Sequence, residues 1–535
     1  MKGNWRGLLT VLVAMLLISN LPMIRAQTPQ QVWQETLIIG GVDEPQTFDP
    51  HVNVTQIGGQ RLYPNIYEGL VRYDAQGGIQ PLLATEWSVS RDGLAYTFTL
   101  RQDVKFSDGT AFNAQAVKLA FERLKAIGKG PVNVFAEVKS VDAVGPYTAR
   151  INLGEPFAPF LSALASWQGA IFMSPKMVQD NAGTDNAQRY MNDHTAGTGP
   201  YMLQSWDPER QIVLVRSPHY WGRYPPNGIT RVVYRTVREP ATGAQLLLRG
   251  DLDLLEQLVP EFVETLGRTS VVEVQTRVSL GGSYGLHVHF NSKKAPFTDV
   301  RVRQALSYAV DYGRIINQLF GRLGKQARGA LPDEFKPWFS EKTIQYTLDL
   351  NRARALLREA GLEGKTFRVT LGWQSGNRVQ RDLGQVIKDN LAQVGFDVQL
   401  QEMTLPVWRE AIWKNNFEMI FVQFSLAYAD PDARLWRAYH SSEFRDRGFN
   451  PGWMNKRYDE LLEQARRESR FEVRKRLYDE AQLLLTREAP TIFLATVLYS
   501  YAYRDGINGL TWIPAYGPFF AAATVQKDLA GFPRR

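Results

Sequence analysis

Two rhythms of apolar and polar residues alternate along this chain, one with a period of two and one with helical spacing. Near the start, LIIGG (37–41) and YTFTL (96–100) read as strands, and VKFSDGTAF carries Asp108-Gly109 as a turn signal. A helix follows, with Asn113 as its N-cap and Ala116, Val117, Leu119, Ala120 and Leu124 on its apolar stripe. Between residues 200 and 290 short alternating runs dominate: QIVLVR (211–216), RVVYRTV (231–237), VVEVQTRV (271–278) and LHVHFN (286–291). These predict half-buried strands. Beyond Asn291 the texture becomes β-α-β. A helix opens at Thr298 or Asp299 with Val302, Ala305, Leu306, Ala309 and Val310 on one face. The strand FRVTLG (367–372), the helix VQRDLGQVIKDNLAQVG (379–395) with Gly395 at its C-cap, and the strand FDVQLQ (396–401) come next. A helix near 406–414 and the strand FEMIFVQF (417–424) complete an α/β region with a mixed or parallel sheet.

The stretch FSLAYADPDARLW (424–436) therefore falls just past the C-terminal end of a strand, where open α/β sheets place ligands. Asp430 before Pro431 reads as an N-cap with proline at the first helical position, and Asp432 suits the positive end of the helix dipole. Both carboxylates thus have a structural reading. A metal would need further oxygen or nitrogen ligands, and none is close in sequence.

Composition narrows the picture. A length of 535 residues predicts two or three domains, and 44% hydrophobic with 22% charged residues is the balance of a folded globular chain. The N-terminus, MKGNWRGLLTVLVAMLLISNLPMIRAQ, sets Lys2 and Arg6 before an apolar run and Ala26 at a cleavage point, which is a secretory signal over residues 1–26. An uncleaved anchor is the alternative, against which Ser19, Asn20 and Pro22 interrupt the apolar run. There is no cysteine, so disulfides, thiolate ligands, a cysteine nucleophile and a lipidated cysteine are all excluded. Export without lipidation points to a Gram-negative-type periplasm. Residues 1–26 hold three basic residues and no acid, so their removal brings the formal +8 to +5. The basic run RRESRFEVRKR (466–476) is flanked by Leu461, Leu462, Ala465, Val473 and Leu477 at helical spacing and reads as a solvated helix face, not a nucleic-acid site.

Two motifs suggest chemistry. GGSYG (281–285) fits the G-x-S-x-G pattern with Ser283 as nucleophile, but that elbow needs a helix after the serine, and strand-like alternation follows instead. His287 and His289 share a face of that strand and are read either as a metal pair or as packed strand histidines.

Several segments taken together resemble the family 5 solute-binding proteins of bacterial ABC importers, the group of dipeptide, oligopeptide and nickel binders. They are QTFDPH (46–51), NIYEGLVRYD (65–74), LATEWSVSRDGLAYTFTLRQDVKFSDGTAFNAQAV (83–117), GTGPYML (197–203), FNSKKAPFTDVRVRQALSYAVD (290–311) and NKRYDELLEQA (455–465). The resemblance implies an α/β, two-lobed periplasmic binding protein of type II in its large three-subdomain form, with a hinge between the lobes. Residues 35–290 would form lobe I with an inserted subdomain at 56–199, residues 291–490 lobe II, and residues 491–535 a return to lobe I and a tail. Crossing segments near LHVHFN and TIFLATVLYS (491–500) would be the hinge.

The implied function is capture of a peptide or other small solute between the lobes and its delivery to an inner-membrane ABC permease. The expected molecule is a monomer with no catalysis, no cofactor and no nucleic-acid partner. The alternatives are a non-peptide ligand (oligosaccharide, opine or metallophore) and, from another class, an exported hydrolase using Ser283. In peptide-binding members an aspartate three residues before the acid that precedes the proline pairs with the ligand's amino terminus; here that position is Ala427. The expected pocket comprises Trp167, Tyr284, Trp373, Phe424, Ala427, Tyr428, Arg434, Trp436 and Trp453. Arg434 and Arg437 are read either as facing an anionic ligand or as facing solvent.

Overall fold

The computed structural model describes residues 33–42, 44–53, 56–279, 284–444, 448–516 and 521–528. The signal-like segment 1–26 and Ser283 lie outside the described residues. Among these, no helix is long and apolar enough to cross a membrane.

Two large sheets carry the architecture. The first has seven strands in the order Val272–Arg277, Tyr499–Arg504, Leu254–Glu256, Thr36–Gly41, Arg231–Thr236, Gln211–Arg216, Tyr201–Asp207. Its centre is parallel: Thr36–Gly41 runs with both Arg231–Thr236 and Leu254–Glu256. The second has six strands in the order Gly324–Gln326, Thr491–Val497, Tyr284–Phe290, Met419–Phe424, Phe367–Gln374, Phe396–Met403. It is mixed, as the β-α-β rhythm predicts, with Phe367–Gln374 parallel to both of its neighbours and the remaining pairs antiparallel. The chain passes from one sheet to the other twice. One passage leads from Val272–Arg277 into Tyr284–Phe290, and the other is the single residue Leu498 between Thr491–Val497 and Tyr499–Arg504.

A third, four-stranded antiparallel sheet orders Ala84–Val89, Ala95–Leu100, Thr148–Leu153 and Val138–Gly145. The helix Ala114–Ile127 packs on it. Its N-cap is Asn113, whose side chain accepts from the Ala116 amide at 3.0 Å, and Gly128 in the left-handed region (φ +65°) ends it. The predicted cap therefore forms as read, satisfying a donor that the first helical turn leaves open.

One face of the six-stranded sheet carries the second hydrophobic core. Leu286, Val288, Phe290, Leu371, Val398 and Phe421 meet Val302 and Leu306 of Val300–Tyr308, Leu356 and Leu357 of Leu350–Glu359, and Leu383 and Ile387 of Arg378–Ala392. Asp299 caps the first of these helices. The third stops at Ala392 with Gln393 at its C-cap, three residues before the predicted end. Gly395 belongs instead to the turn into the next strand. It holds φ +88°, and a Cβ there would lie 2.6 Å from the Lys365 carbonyl, so glycine is required on both counts.

A buried ion pair ties the loop after the first strand to the four-stranded layer. Arg123 donates from Nη1 and Nη2 to the two oxygens of Asp49 at 2.9 and 2.6 Å and from Nε to the Asn186 carbonyl at 2.9 Å. His51 completes the cluster, with Nδ1 3.1 Å from Arg123 Nη1 and Nε2 3.0 Å from the Ile171 carbonyl. Burial and the adjacent guanidinium push its pKa down to about 3, so it is neutral here. Asp49→Ala strands the Arg123 guanidinium without a counter-charge. The expected loss is about 3–5 kcal/mol, the cost of breaking one side of a buried pair, read as a lowered urea midpoint; an unchanged midpoint would show that the pair is dispensable.

Candidate functional site

The strand Met419–Phe424 delivers the chain into the loop 425–431 and the helix Asp432–Tyr439. Two cavities flank this helix and share Ala427, Ala433 and Arg437. One, of about 330 Å³, has Glu137 and Phe157 from the four-stranded layer on one side, with Tyr428, Asp432, Trp436 and Arg466 on the other. The second, of about 220 Å³, has Trp167 and Gln168 opposite Gln423, Phe424 and Arg434. Both thus lie between segments preceding the first crossing and segments following it.

Ion pairs hold the lip in place. Asp430 is buried, and both of its oxygens accept from Arg474 Nη2 at 2.9 Å. Burial raises the Asp430 carboxyl and the Arg474 guanidinium offsets part of that rise. Asp432, also buried, accepts from Arg466 Nε at 2.8 Å and from the Tyr428 hydroxyl at 2.7 Å. The Asp430 cap forms as read: Oδ1 accepts from the Asp432 amide at 3.0 Å, with Pro431 between them, while the same carboxylate holds Arg474. One correction is needed: the run 466–476 is not wholly a solvated face, since Arg466 and Arg474 turn inward to these two acids. Periodicity registers where a residue sits on a helix, not which opposite charge awaits it on another element.

Trp436 is clamped. Its ring stacks on His440 at 3.6 Å between centroids and 8° between planes, and the Arg466 guanidinium lies 3.8 Å from its centroid on the charge-favouring π-face. Phe424 faces Arg434 at 5.2 Å. Of the predicted pocket residues, Trp167, Phe424, Ala427, Tyr428, Arg434 and Trp436 line the two cavities. Trp373 and Trp453 do not. Trp373 packs in the core of the six-stranded sheet, and Trp453 packs edge-on against Tyr458 at 4.9 Å. Both are apolar side chains absorbed by cores that a list of aromatic positions cannot distinguish from a pocket. The side chain of Tyr284 lies outside the described residues. Gln168 and Arg466 were missed by sequence reasoning. Gln168 carries no signal beyond its place after Trp167, and Arg466 was hidden in the basic run.

Unpaired polar atoms converge on the second cavity. Arg434 is only 3% exposed; Nη1 donates to the Ala330 carbonyl at 3.2 Å, while Nε has no partner. Burial pulls its pKa down to about 9, which leaves it charged at neutral pH. Trp167 Nε1 and Gln168 Oε1 are likewise buried atoms without partners. Native interiors satisfy nearly all such groups, so three donors and acceptors at one cavity leave it able to bond a polar group.

His287 and His289 do share a face, as read, but both are fully buried behind this helix. Burial keeps them neutral, with His289 lowered to about 3 and His287 well below its ordinary value. His289 Nδ1 sits 2.8 Å from Thr491 Oγ1. Among the described residues no group of three or more His, Cys, Asp or Glu is arranged to hold a metal. After the G-x-S-x-G match comes the strand Tyr284–Phe290, not the helix that an elbow requires.

Residues 78–446 match the family described as Bacterial extracellular solute-binding proteins, family 5 Middle. The chain is 30% identical, over 96% of its length and 98% of that protein, to the Probable D,D-dipeptide-binding periplasmic protein DdpA of Escherichia coli (strain K12). Among solved structures it resembles the ABC transporter-associated periplasmic binding protein DppA from Helicobacter pylori in complex with peptide STSA, with a TM-score of 0.79, 24% identity and coverage of 93% of this chain and 99% of that one. It also resembles NikA from Brucella suis in complex with Fe(III)-EDTA, with a TM-score of 0.81, 23% identity and coverage of 92% and 100%.

The folded-state pKa of His289 lies below its unfolded value of 6.5. As pH falls below 6.5 the unfolded chain takes up a proton that the folded site refuses, so its contribution is complete above 6.5 and is lost toward pH 3. In His289→Gln the fall of unfolding free energy between pH 6 and 4 should be shallower by about 1.4 kcal/mol per pH unit. Parallel slopes in chemical denaturation would show that His289 titrates normally in the fold.

Proposed function

We propose that this chain, which belongs to the bacterial extracellular solute-binding proteins of family 5, is the periplasmic substrate-binding component of an ABC importer. It captures a peptide or similar small solute between two lobes and presents it to an inner-membrane permease. The observation that carries this reading is the position of the paired cavities, between segments that precede the first of the two crossings and segments that follow it. Two adjacent short crossings suit a hinge. We place lobe I on the seven-stranded sheet with its four-stranded insertion and the return after Leu498, and lobe II on the six-stranded sheet. Relatives that bind a D,D-dipeptide or the peptide STSA favour a peptide-like solute.

The mechanism is differential binding. A solute in the open form touches one set of walls, and closure brings Trp167 and Gln168 up against Arg434 and Phe424 across it. Closure is favoured only by contacts absent from the open form, so the ligand's affinity for the closed form sets the population shift. No step forms or breaks a covalent bond, and no cofactor is used. The hydrolase reading through Ser283 is not retained, since the family and the strand after that motif both speak for binding.

The mature protein, denatured without prior dialysis, should release a small solute identifiable by mass spectrometry. D-Alanyl-D-alanine or a short L-peptide at a hundred times its dissociation constant should stabilise the ligand-free protein by about 2.7 kcal/mol. Trp436→Ala, which removes a clamped cavity wall, should weaken that binding by about 10-fold or more. Steady turnover of the added solute, or no change in solution scattering at saturating solute, would sink the hinge-closing reading.

A further inference from the structure

Resting on the binding reading above, we propose that the second cavity is a carboxylate site: the solute presents an anionic carboxylate to the Arg434 guanidinium and the Trp167 indole N–H, and no ammonium group enters there. The wall facing this cavity from the loop is Ala427, which offers no charge. The two nearby acids of the same loop are already committed, Asp430 to Arg474 and Asp432 to Arg466 and Tyr428. Among the described residues no carboxylate lines this cavity.

Among the described residues no carboxylate pairs with Arg434 in turn. The Arg434 guanidinium is buried, held by one bond to the Ala330 carbonyl and by the Phe424 ring, with Nε unpaired. The ionisable group on its other side is His287, which is buried, neutral and has neither ring nitrogen paired. A Cβ on Gly285 would fall 2.3 Å from His287 Nε2 and 3.1 Å from Arg434 Nη1, so glycine at 285 leaves both side chains room against the strand. A buried cation without a partner is strongly unfavourable unless something supplies the anion. A guanidinium and an indole N–H on the walls of one cavity can each donate to a carboxylate oxygen. Trp167 precedes the first crossing and Arg434 follows it, so one carboxylate would be gripped from both lobes and would itself report closure. The free amide oxygen of Gln168 can accept from a neutral N–H or O–H adjoining that carboxylate.

The test uses two D-alanyl-D-alanine probes, the free acid and its C-terminal amide, with wild type and Arg434→Gln, by titration calorimetry. Wild type should bind the free acid about 30-fold or more tightly than the amide, the range of a charge-assisted hydrogen bond. Arg434→Gln should lose that preference, binding acid and amide within about 3-fold of each other. Equal weakening of both forms would mark Arg434 as merely structural, and a wild-type preference for the amide would overturn the proposal outright.

A second arm needs no ligand. Arg434→Met removes an unpaired buried charge from the ligand-free protein, so Tm should hold or rise by about 1–3 °C. A fall of more than about 3 °C would show that the guanidinium is a structural tie to Ala330 and would overturn the carboxylate assignment. Should neither dipeptide form bind, the dipeptide reading fails, while the Arg434→Met melting curve still decides between a ligand-facing and a structural arginine.

Discussion

The lip of the cleft depends on two buried ion pairs, Asp430 with Arg474 and Asp432 with Arg466. A loop leaving the end of a strand has few backbone partners of its own, and this one lies against Tyr73 and Phe157 from earlier in the chain. Anchoring its two acids to the helices Lys456–Arg467 and Phe471–Glu488 converts it into a fixed wall. The same pairs position Trp436 under the Arg466 guanidinium and aim the helix Asp432–Tyr439 so that Arg434 turns inward. Buried pairs of this kind contribute little net stability, because desolvation offsets most of the attraction. Their effect is geometric: each acid accepts only one arrangement of donors.

That rigidity contrasts with the connection between the sheets. Each sheet has its own apolar packing on at least one face, whereas the passages between them are short and run side by side through neighbouring strands. The walls of the cavities come from both sides of those passages, and a bound solute therefore adds the contacts that hold them together. Fixed walls that meet only across a solute let binding energy appear as closure.

The polar groups left unsatisfied fall into the same division. Asp49, Arg123, Asp430 and Asp432 are buried and fully engaged, which is what a folded interior demands. Arg434, Trp167 and Gln168 are buried or nearly so and are not satisfied. Local rules of satisfaction fail where a protein leaves room for something else, and these three groups line one cavity.

Much of this molecule was legible in the order of its residues. The strand and helix periods, the Asn113 and Asp299 caps, the mixed character of the second sheet and the place of residues 424–436 after a strand are local properties, set by spacing along the chain. The aromatic and charged side chains were legible only as candidates. Trp373 and Trp453 went into cores while Trp167 and Trp436 went to cavity walls, and nothing in their flanking residues separates the two outcomes. The direction of Arg466 and Arg474, the engagement of both loop acids and the isolation of Arg434 depend on partners tens to hundreds of positions away in sequence. Local periodicity decides which face of an element is apolar; only tertiary packing decides which charges meet, and therefore which charge is left for a ligand.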